Sequence, residues 1–199
     1  MPENKRQNND TIVLGSGKIY FGTYDGTKPS VDAVKALCTD ENELGAVKGG
    51  ATLEYKETHY QAKDDSGRYE KDILTEDEAS LKCGLITFSG DLFKKIVSTA
   101  KSIEENGYRI TDIGGTENYA DKSCILVFHH EDKQDGDIFV AIRGVNQAGF
   151  SLAFAKDKES TVEPEFKCKP MGNDGVLIRY IEEIAPVSET VDTSDEPQG

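Results

Sequence analysis

Residues 43–88 constrain the fold of this chain more than any other stretch. Apolar residues alternate with polar ones at Leu53 and Tyr55 in its first half, and again in its second half at Ala79, Leu81, Cys83 and Leu85. A period of two is typical of a β-strand with one buried face. The stretch is therefore predicted to contain two strands, with a bulge beside Gly84, where the phase of the pattern shifts.

The two strands are separated by Asp64-Asp65-Ser66-Gly67, whose polar side chains and glycine favour a turn. The sequence thus predicts a β-hairpin over residues of about 54–75, with arms too long for a compact domain to cover. Its apolar side chains either fold back onto the same domain or pack on a neighbouring copy of the chain. For the second alternative, the candidate subunit-interface residues are Tyr60, Asp64, Asp65, Arg68, Tyr69, Ile73 and Leu74.

The charge of the chain argues against nucleic-acid recognition. Its 37 acidic and 23 basic residues give a formal net charge of −14. Such a surface repels phosphate, so specific binding to duplex DNA or RNA is not predicted. The same charge also keeps a concentrated protein soluble, which is sufficient to explain it.

The cysteines and histidines do not form a recognisable catalytic or metal-binding motif. The four cysteines are widely spaced without a CxxC pair, so we expect free thiols: Cys38, Cys83, Cys124 and Cys168. His129 and His130 are adjacent and point to opposite faces of a strand, which argues against a shared metal, and His59 lies far away in sequence. No catalytic residue, cofactor or metal site is predicted, and the chain is not predicted to be an enzyme.

A calcium site is also considered around Asp132, Asp135, Gly136 and Asp137, which resemble the start of an EF-hand loop. The glutamate that closes such a loop is absent, because the chain continues directly into the apolar residues 138–140. A hairpin turn is the preferred interpretation. Without a secretion signal or a long apolar run, the chain is expected to be made and kept in a cytoplasm.

The pattern along the chain predicts one β domain with two polar ends. Residues 1–11 are expected to form a flexible arm, residues 12–185 the domain, and residues 186–199 a disordered acidic tail. One helix is predicted at about 90–106, capped by Ser89 or Asp91 and ended by Asn106-Gly107, with an apolar stripe of Leu92, Phe93, Ile96, Val97, Ala100 and Ile103. Residues 25–42 are left open between a helical turn and a strand.

Short strands separated by turn clusters follow this helix. They are predicted near residues 110–113, 124–129, 138–143, 151–155, 162–168 and 176–184. The expected fold class is mainly β, with two packed antiparallel sheets forming a β-sandwich or barrel flanked by one α-helix.

The order of these elements resembles the tail tube (major tail) proteins of long-tailed bacteriophages. The likeness covers residues of about 12–185 and rests on pattern and order. The segments that carry it are Gly17-Lys18-Ile19-Tyr20-Phe21-Gly22, the strand from Glu43 to Tyr55, the acidic hairpin to Leu74, the strand from Glu78 to Phe88, Phe139-Val140-Ala141-Ile142-Arg143-Gly144, Leu152 to Phe154, and Val176-Leu177-Ile178-Arg179-Tyr180.

The resemblance implies a fold shared with the tubes of contractile tails and of type VI secretion needles. It implies hexameric rings that stack into a hollow tube, with the long hairpin reaching the next subunit or ring. Other tail proteins, such as the tape measure and tail terminator proteins, would be partners. DNA would pass through the tube without specific binding, and the protein would not bind a membrane. The protein would be assembled in the bacterial cytoplasm and reside in the virion tail.

Two other functions are weighed against this one. A β-sandwich binding module of the lectin or adhesin type would need exposed aromatic residues, and the chain has no tryptophan. A hydrolase on a jelly-roll scaffold would need a set of metal-ligating residues, such as clustered histidines, and the sequence lacks one.

Overall fold

The computed structural model describes residues 17–63, 68, 70–87, 89–132, 136–147, 149–152 and 160–184. Within them are two α-helices, α1 (Val31–Leu37) and α2 (Gly90–Ile96), and two short 3₁₀ turns. The strands are β1 (Lys18–Thr23), β2 (Glu43–Gly45), β3 (Val47–Lys63), β4 (Glu70–Leu85), β5 (Lys101–Glu105), β6 (Tyr108–Asp112), β7 (Cys124–His130), β8 (Ile138–Asn146), β9 (Glu165–Lys169) and β10 (Ile178–Glu182). The mainly β, antiparallel fold class is confirmed.

One large antiparallel sheet forms the body of the protein. Its strand order is β2-β1-β7-β8-β9-β4-β3, and β10 pairs with the first half of β8. The strands at the two ends of this order, β2 and β3, are consecutive in the chain and are separated only by Ala46. The sheet therefore curls until its two ends meet, as in a barrel.

The central strands are buried on both faces, which explains their nearly continuous apolar sequences. Alternate residues of β7 belong to different core clusters, with Leu126 in one and Val127 in the other. The first cluster includes Leu92 and Ile96 of α2, and the second includes Val34 of α1. The two helices thus cover opposite faces of the sheet, which is why β7 and β8 do not show the alternation of a half-exposed strand.

The segment left open by the sequence contains the short helix α1. Ser30 caps it, since its Oγ accepts a hydrogen bond from the backbone N–H of Ala33 at 3.2 Å. Val34 faces the core and is almost completely buried. The prediction of a single flanking helix is therefore wrong, because a helix of seven residues buries too few side chains to show a clear apolar period.

The predicted helix at about 90–106 is correct at its start and wrong in its second half. The helix α2 ends at Ile96, and residues 101–105 form strand β5, which pairs with β6. Asn106 and Gly107 both have positive φ, at 52° and 79°, as in the two-residue turn of a β-hairpin. This pair joins two strands, so it does not end a helix.

The long hairpin of β3 and β4 is paired from Val47 opposite Leu85 to Lys63 opposite Glu70. The predicted irregularity beside Gly84 is present, but the extra residues lie in the opposite strand, where Lys48, Gly49 and Gly50 face Gly84 alone. A Cβ on Gly84 would lie 2.8 Å from the carbonyl oxygen of Lys48, so the bulge requires glycine at that position. Of the predicted strand at 151–155, only residues 151 and 152 are described, and Leu152 forms an isolated bridge to Val162.

Candidate assembly surfaces

The cysteine thiols are placed for packing, which leaves them poorly suited to nucleophilic chemistry. Cys83, Cys124 and Cys168 are buried in strands, and Cys38 follows α1. Desolvation raises the pKa of Cys83 and of Cys124 to about 12, and that of Cys38 and of Cys168 to about 11. At neutral pH these groups are protonated, and the thiolate that would attack a substrate is not populated.

The histidines do not converge. His129 stacks on Phe139 with ring centroids 4.3 Å apart, and its Nε2 lies 3.0 Å from an Asp137 carboxylate oxygen. The neighbouring His130 is only 4% exposed, and its ring nitrogens have no hydrogen-bond partner among the described residues. His59 lies on the distal hairpin. In the described part of the chain, no group of three or more histidine, cysteine or acidic residues is arranged to hold a metal ion.

The Asp132–Asp137 segment joins β7 to β8, which pair as an antiparallel hairpin. The backbone N–H of Gly136 donates to the carbonyl of Asp132 at 2.9 Å, and Asp137 Oδ1 accepts from the N–H of Asp132 at 3.1 Å. The strands on either side thus form a hairpin, in agreement with the preferred interpretation, while residues 133–135, including Asp135, lie outside the described residues.

The distal half of the β3–β4 hairpin, residues 58–63 and 70–76, carries three of the predicted interface residues, Tyr60, Ile73 and Leu74. Every residue in it is exposed except Ala62, which is half-buried. Tyr60 is 60% exposed and stands directly opposite Ile73, so the two side chains share one face. Thr75 is an extra residue in β4, so Leu74 stands opposite His59. Leu74 and His59 lie on the other face of the hairpin, because they are next to Ile73 and Tyr60 in their strands. Exposed apolar residues on both faces are what the hairpin would need for packing on a neighbour.

The remaining interface candidates are partly described. Arg68 is exposed, and Asp64, Asp65 and Tyr69 lie outside the described residues. The interface role of all seven candidates stays a prediction.

The outer edge of β3 is a second feature that a neighbouring chain could complete. Along one side β3 pairs with β4, and on its other side it has no partner strand within the described ranges. This side of β3, a strand of 17 residues, is therefore a long open edge. Edges of this length are templates for strand pairing between molecules.

The polar face at the base of this hairpin carries mutually paired charges. Lys82 lies 3.9 Å from Glu54 and 3.5 Å from Glu165, and Lys167 lies 3.2 Å from Glu78. These ion pairs are solvent-exposed and contribute little stability. Their effect is to make this face polar and nearly neutral, so it lacks the apolar contacts that the distal half offers.

The β5–β6 hairpin is a candidate surface that the sequence interpretation missed. Its inner face packs on α2: a Cβ on Gly90 would lie 2.8 Å from Arg109 Cδ, and the Arg109 guanidinium pairs with Asp91 at 2.7 Å. Its outer face exposes Ile103, Tyr108 and Ile110, with Tyr108 75% exposed. The Asn106-Gly107 pair is the sequence signal that favours this hairpin.

No protein-family model matches this chain, and no curated protein matches it either. Among the described residues, no helix has the length and apolar character needed to cross a membrane.

Proposed function

We propose that this chain is a structural subunit that assembles with copies of itself into hexameric rings, stacked as the tail tube of a long-tailed bacteriophage or prophage. The observation that carries the proposal is the distal β3–β4 hairpin. It exposes Tyr60, Ile73 and Leu74 outside an otherwise well-packed domain.

The hairpin is costly for a protein that acts alone. Full burial of a large apolar side chain contributes about 1.5–3 kcal/mol. Tyr60, Ile73 and Leu74 are 60%, 41% and 49% exposed, so each forgoes part of that free energy. An isolated two-stranded hairpin is only marginally stable in water, so an extension of this length needs packing from outside its own domain. A neighbouring copy is the simplest source of that packing, since every copy has the same unpaired arm.

The β3 edge supports the same proposal. Pairing of this edge with a strand of the next subunit would satisfy its backbone groups and extend the sheet around a ring. Closed symmetry removes open edges altogether, whereas a monomer would keep this one exposed. The edge and the hairpin are continuous in β3, so one neighbour could cover both.

The charge of the chain is compatible with a conduit for DNA. At a formal net charge of −14, the assembled subunits would repel phosphate and let DNA move without being held. In this proposal the tape measure and tail terminator proteins contact the tube, and the protein resides in the virion tail.

Negative-stain microscopy and sedimentation velocity on the full chain, over a wide range of concentrations, test the proposal. We expect rings or tubes of uniform diameter, and the fraction of the protein assembled in them should increase with concentration. A monomer at every concentration and salt would overturn it. Glycan-array binding by that monomer would instead support a β-sandwich binding module.

A further inference from the structure

The distal hairpin has an apolar face that carries a positive charge. Tyr60 pairs with Ile73 and Ala62 pairs with Lys71, so these four side chains share one face, here called the tip patch. Lys63, on the opposite face, pairs with Glu70, but Lys71 has no ion pair with any described residue. The tip patch is therefore apolar with an available cation at one end.

The β5–β6 hairpin has an apolar face that carries negative charge. Ile103 pairs with Ile110, Glu105 with Tyr108 and Lys101 with Asp112, so these six residues share the side opposite α2, here called the outer face. Lys101 Nζ is directed to Asn118, with a distance of 2.6 Å to its Oδ1. Within the described ranges, neither Glu105 nor Asp112 forms an ion pair, which leaves two available carboxylates around the exposed isoleucines.

The two faces are complementary in kind. Each has a cross-strand apolar pair and an exposed tyrosine, and the available charge is positive on one and negative on the other. Apolar cores with complementary charges around them are typical of specific interfaces. Two tip patches would instead bring Lys71 of one copy near Lys71 of another, and two outer faces would oppose carboxylates.

We propose that the tip patch of one copy docks on the outer face of the β5–β6 hairpin of the next copy. The inference rests on the proposed self-assembly and names the surfaces that meet. Because two different patches are joined, the contact is heterologous, and its repetition produces a ring or an open stack. The outer face is thus the receiving surface for the long arm.

Charge reversal tests the contact in the full chain. Lys71→Glu and Glu105→Lys should each reduce the assembled fraction in sedimentation velocity several-fold, and the double variant should recover it because the two charges are exchanged. Lys63→Glu is the matched control, since it makes the same charge change on the opposite face of the same arm and should assemble as the native chain does. Unchanged assembly of both single variants would overturn the proposed contact.

Disulfide trapping provides a second test that does not depend on electrostatics. An Ile73→Cys chain mixed with an Ile110→Cys chain should form a mixed disulfide under mild oxidation, whereas Ile73→Cys mixed with Val31→Cys should not. Val31 is the control because it is exposed on α1. Rings that form without the specific disulfide would overturn this contact and leave the proposed function standing, whereas absence of any assembly by the native chain would overturn both.

Discussion

At the scale of single residues, Lys122 holds the connection between α2 and β5. Its Nζ donates to the backbone carbonyls of Lys94 at 2.6 Å, Val97 at 2.7 Å and Ala100 at 3.1 Å. The last carbonyls of a helix have no partner within it, and a lysine near them satisfies them and the negative end of the helix dipole. One side chain thus ends the helix and fixes the turn that starts the second hairpin.

Replacement of this lysine should destabilise the fold. Lys122→Met keeps most of the side-chain volume and removes three hydrogen bonds from a charged donor, so we expect a loss of about 2 kcal/mol in the free energy of unfolding. Urea denaturation measures it. Lys101→Met is the control, because it removes one exposed hydrogen bond to Asn118 and should cost less than about 0.5 kcal/mol. Equal stability of both variants would show that the carbonyls find other partners.

A second residue-scale prediction concerns His59. Its pKa is raised above the ordinary 6.5, chiefly by the hydrogen bond to Glu57, at 3.1 Å from Nε2, and also by Asp72 across the hairpin. A raised pKa means that the folded hairpin favours the imidazolium. The contribution of His59 to the stability of the fold is present below the pKa of the unfolded chain, and it is lost as the pH rises through the raised pKa of the folded chain. In an NMR titration we expect a midpoint above 6.5, and Glu57→Gln should lower it; a native midpoint at or below 6.5 would contradict this.

At the scale of elements, local pattern predicted the hairpin arms well. Leu81, Cys83 and Leu85 alternate because β4 has one face in the core, and the bulge appeared in the sequence as a shift beside Gly84. The curling of the sheet was not predictable in the same way. It depends on β2 pairing with β1 while β3 pairs with β4, and long-range pairing has no local sequence signal.

The candidate surfaces were predictable to different degrees. Tyr60 and Ile73 were identifiable because they lie near the turn of a hairpin whose two strands follow each other in the sequence. The structure places the two residues opposite each other. Ile103 was assigned to the helix stripe since its spacing from Ile96 fits a helical period as well as a new strand. Only the Asn106-Gly107 pair distinguishes these two readings, through the positive φ that a hairpin turn requires.

An element-scale prediction concerns the buried face of α2. Ile96 is 3% exposed in the first core cluster, so Ile96→Asp places a carboxylate among apolar side chains. We expect a loss of about 4 kcal/mol or more, measured by thermal and urea unfolding. Lys94→Asp, at an exposed position of the same helix, should cost less than about 1 kcal/mol. A native unfolding midpoint for Ile96→Asp would mean that α2 does not pack against the sheet.

At the scale of the whole molecule, the structure separates a packed domain from a projecting arm. The core clusters take residues of β4 only from Ala79 to Leu85, and the part of the hairpin beyond Glu57 and Asp77 adds nothing to them. The arm is about 20 Å long over residues 58–63, at about 3.4 Å per residue. Folding and assembly should therefore be separable by shortening the chain at this point.

We predict that a chain in which residues 58–76 are replaced by Asn-Gly folds and does not assemble. Glu57 and Asp77 are a cross-strand pair, so a two-residue turn can join them without changing the register of the remaining β3–β4 pairs. Circular dichroism and the thermal transition should match the native chain, and sedimentation velocity should give a monomer. In a second variant, Asn-Gly joins Lys63 to Glu70, another cross-strand pair; this keeps the tip patch but removes the candidates Asp64, Asp65, Arg68 and Tyr69, so its assembled fraction should lie between those of the native and the shorter chain. If the shorter chain fails to fold, the arm is needed for the stability of the domain. If the shorter chain forms tubes, neighbouring copies make contact through other surfaces.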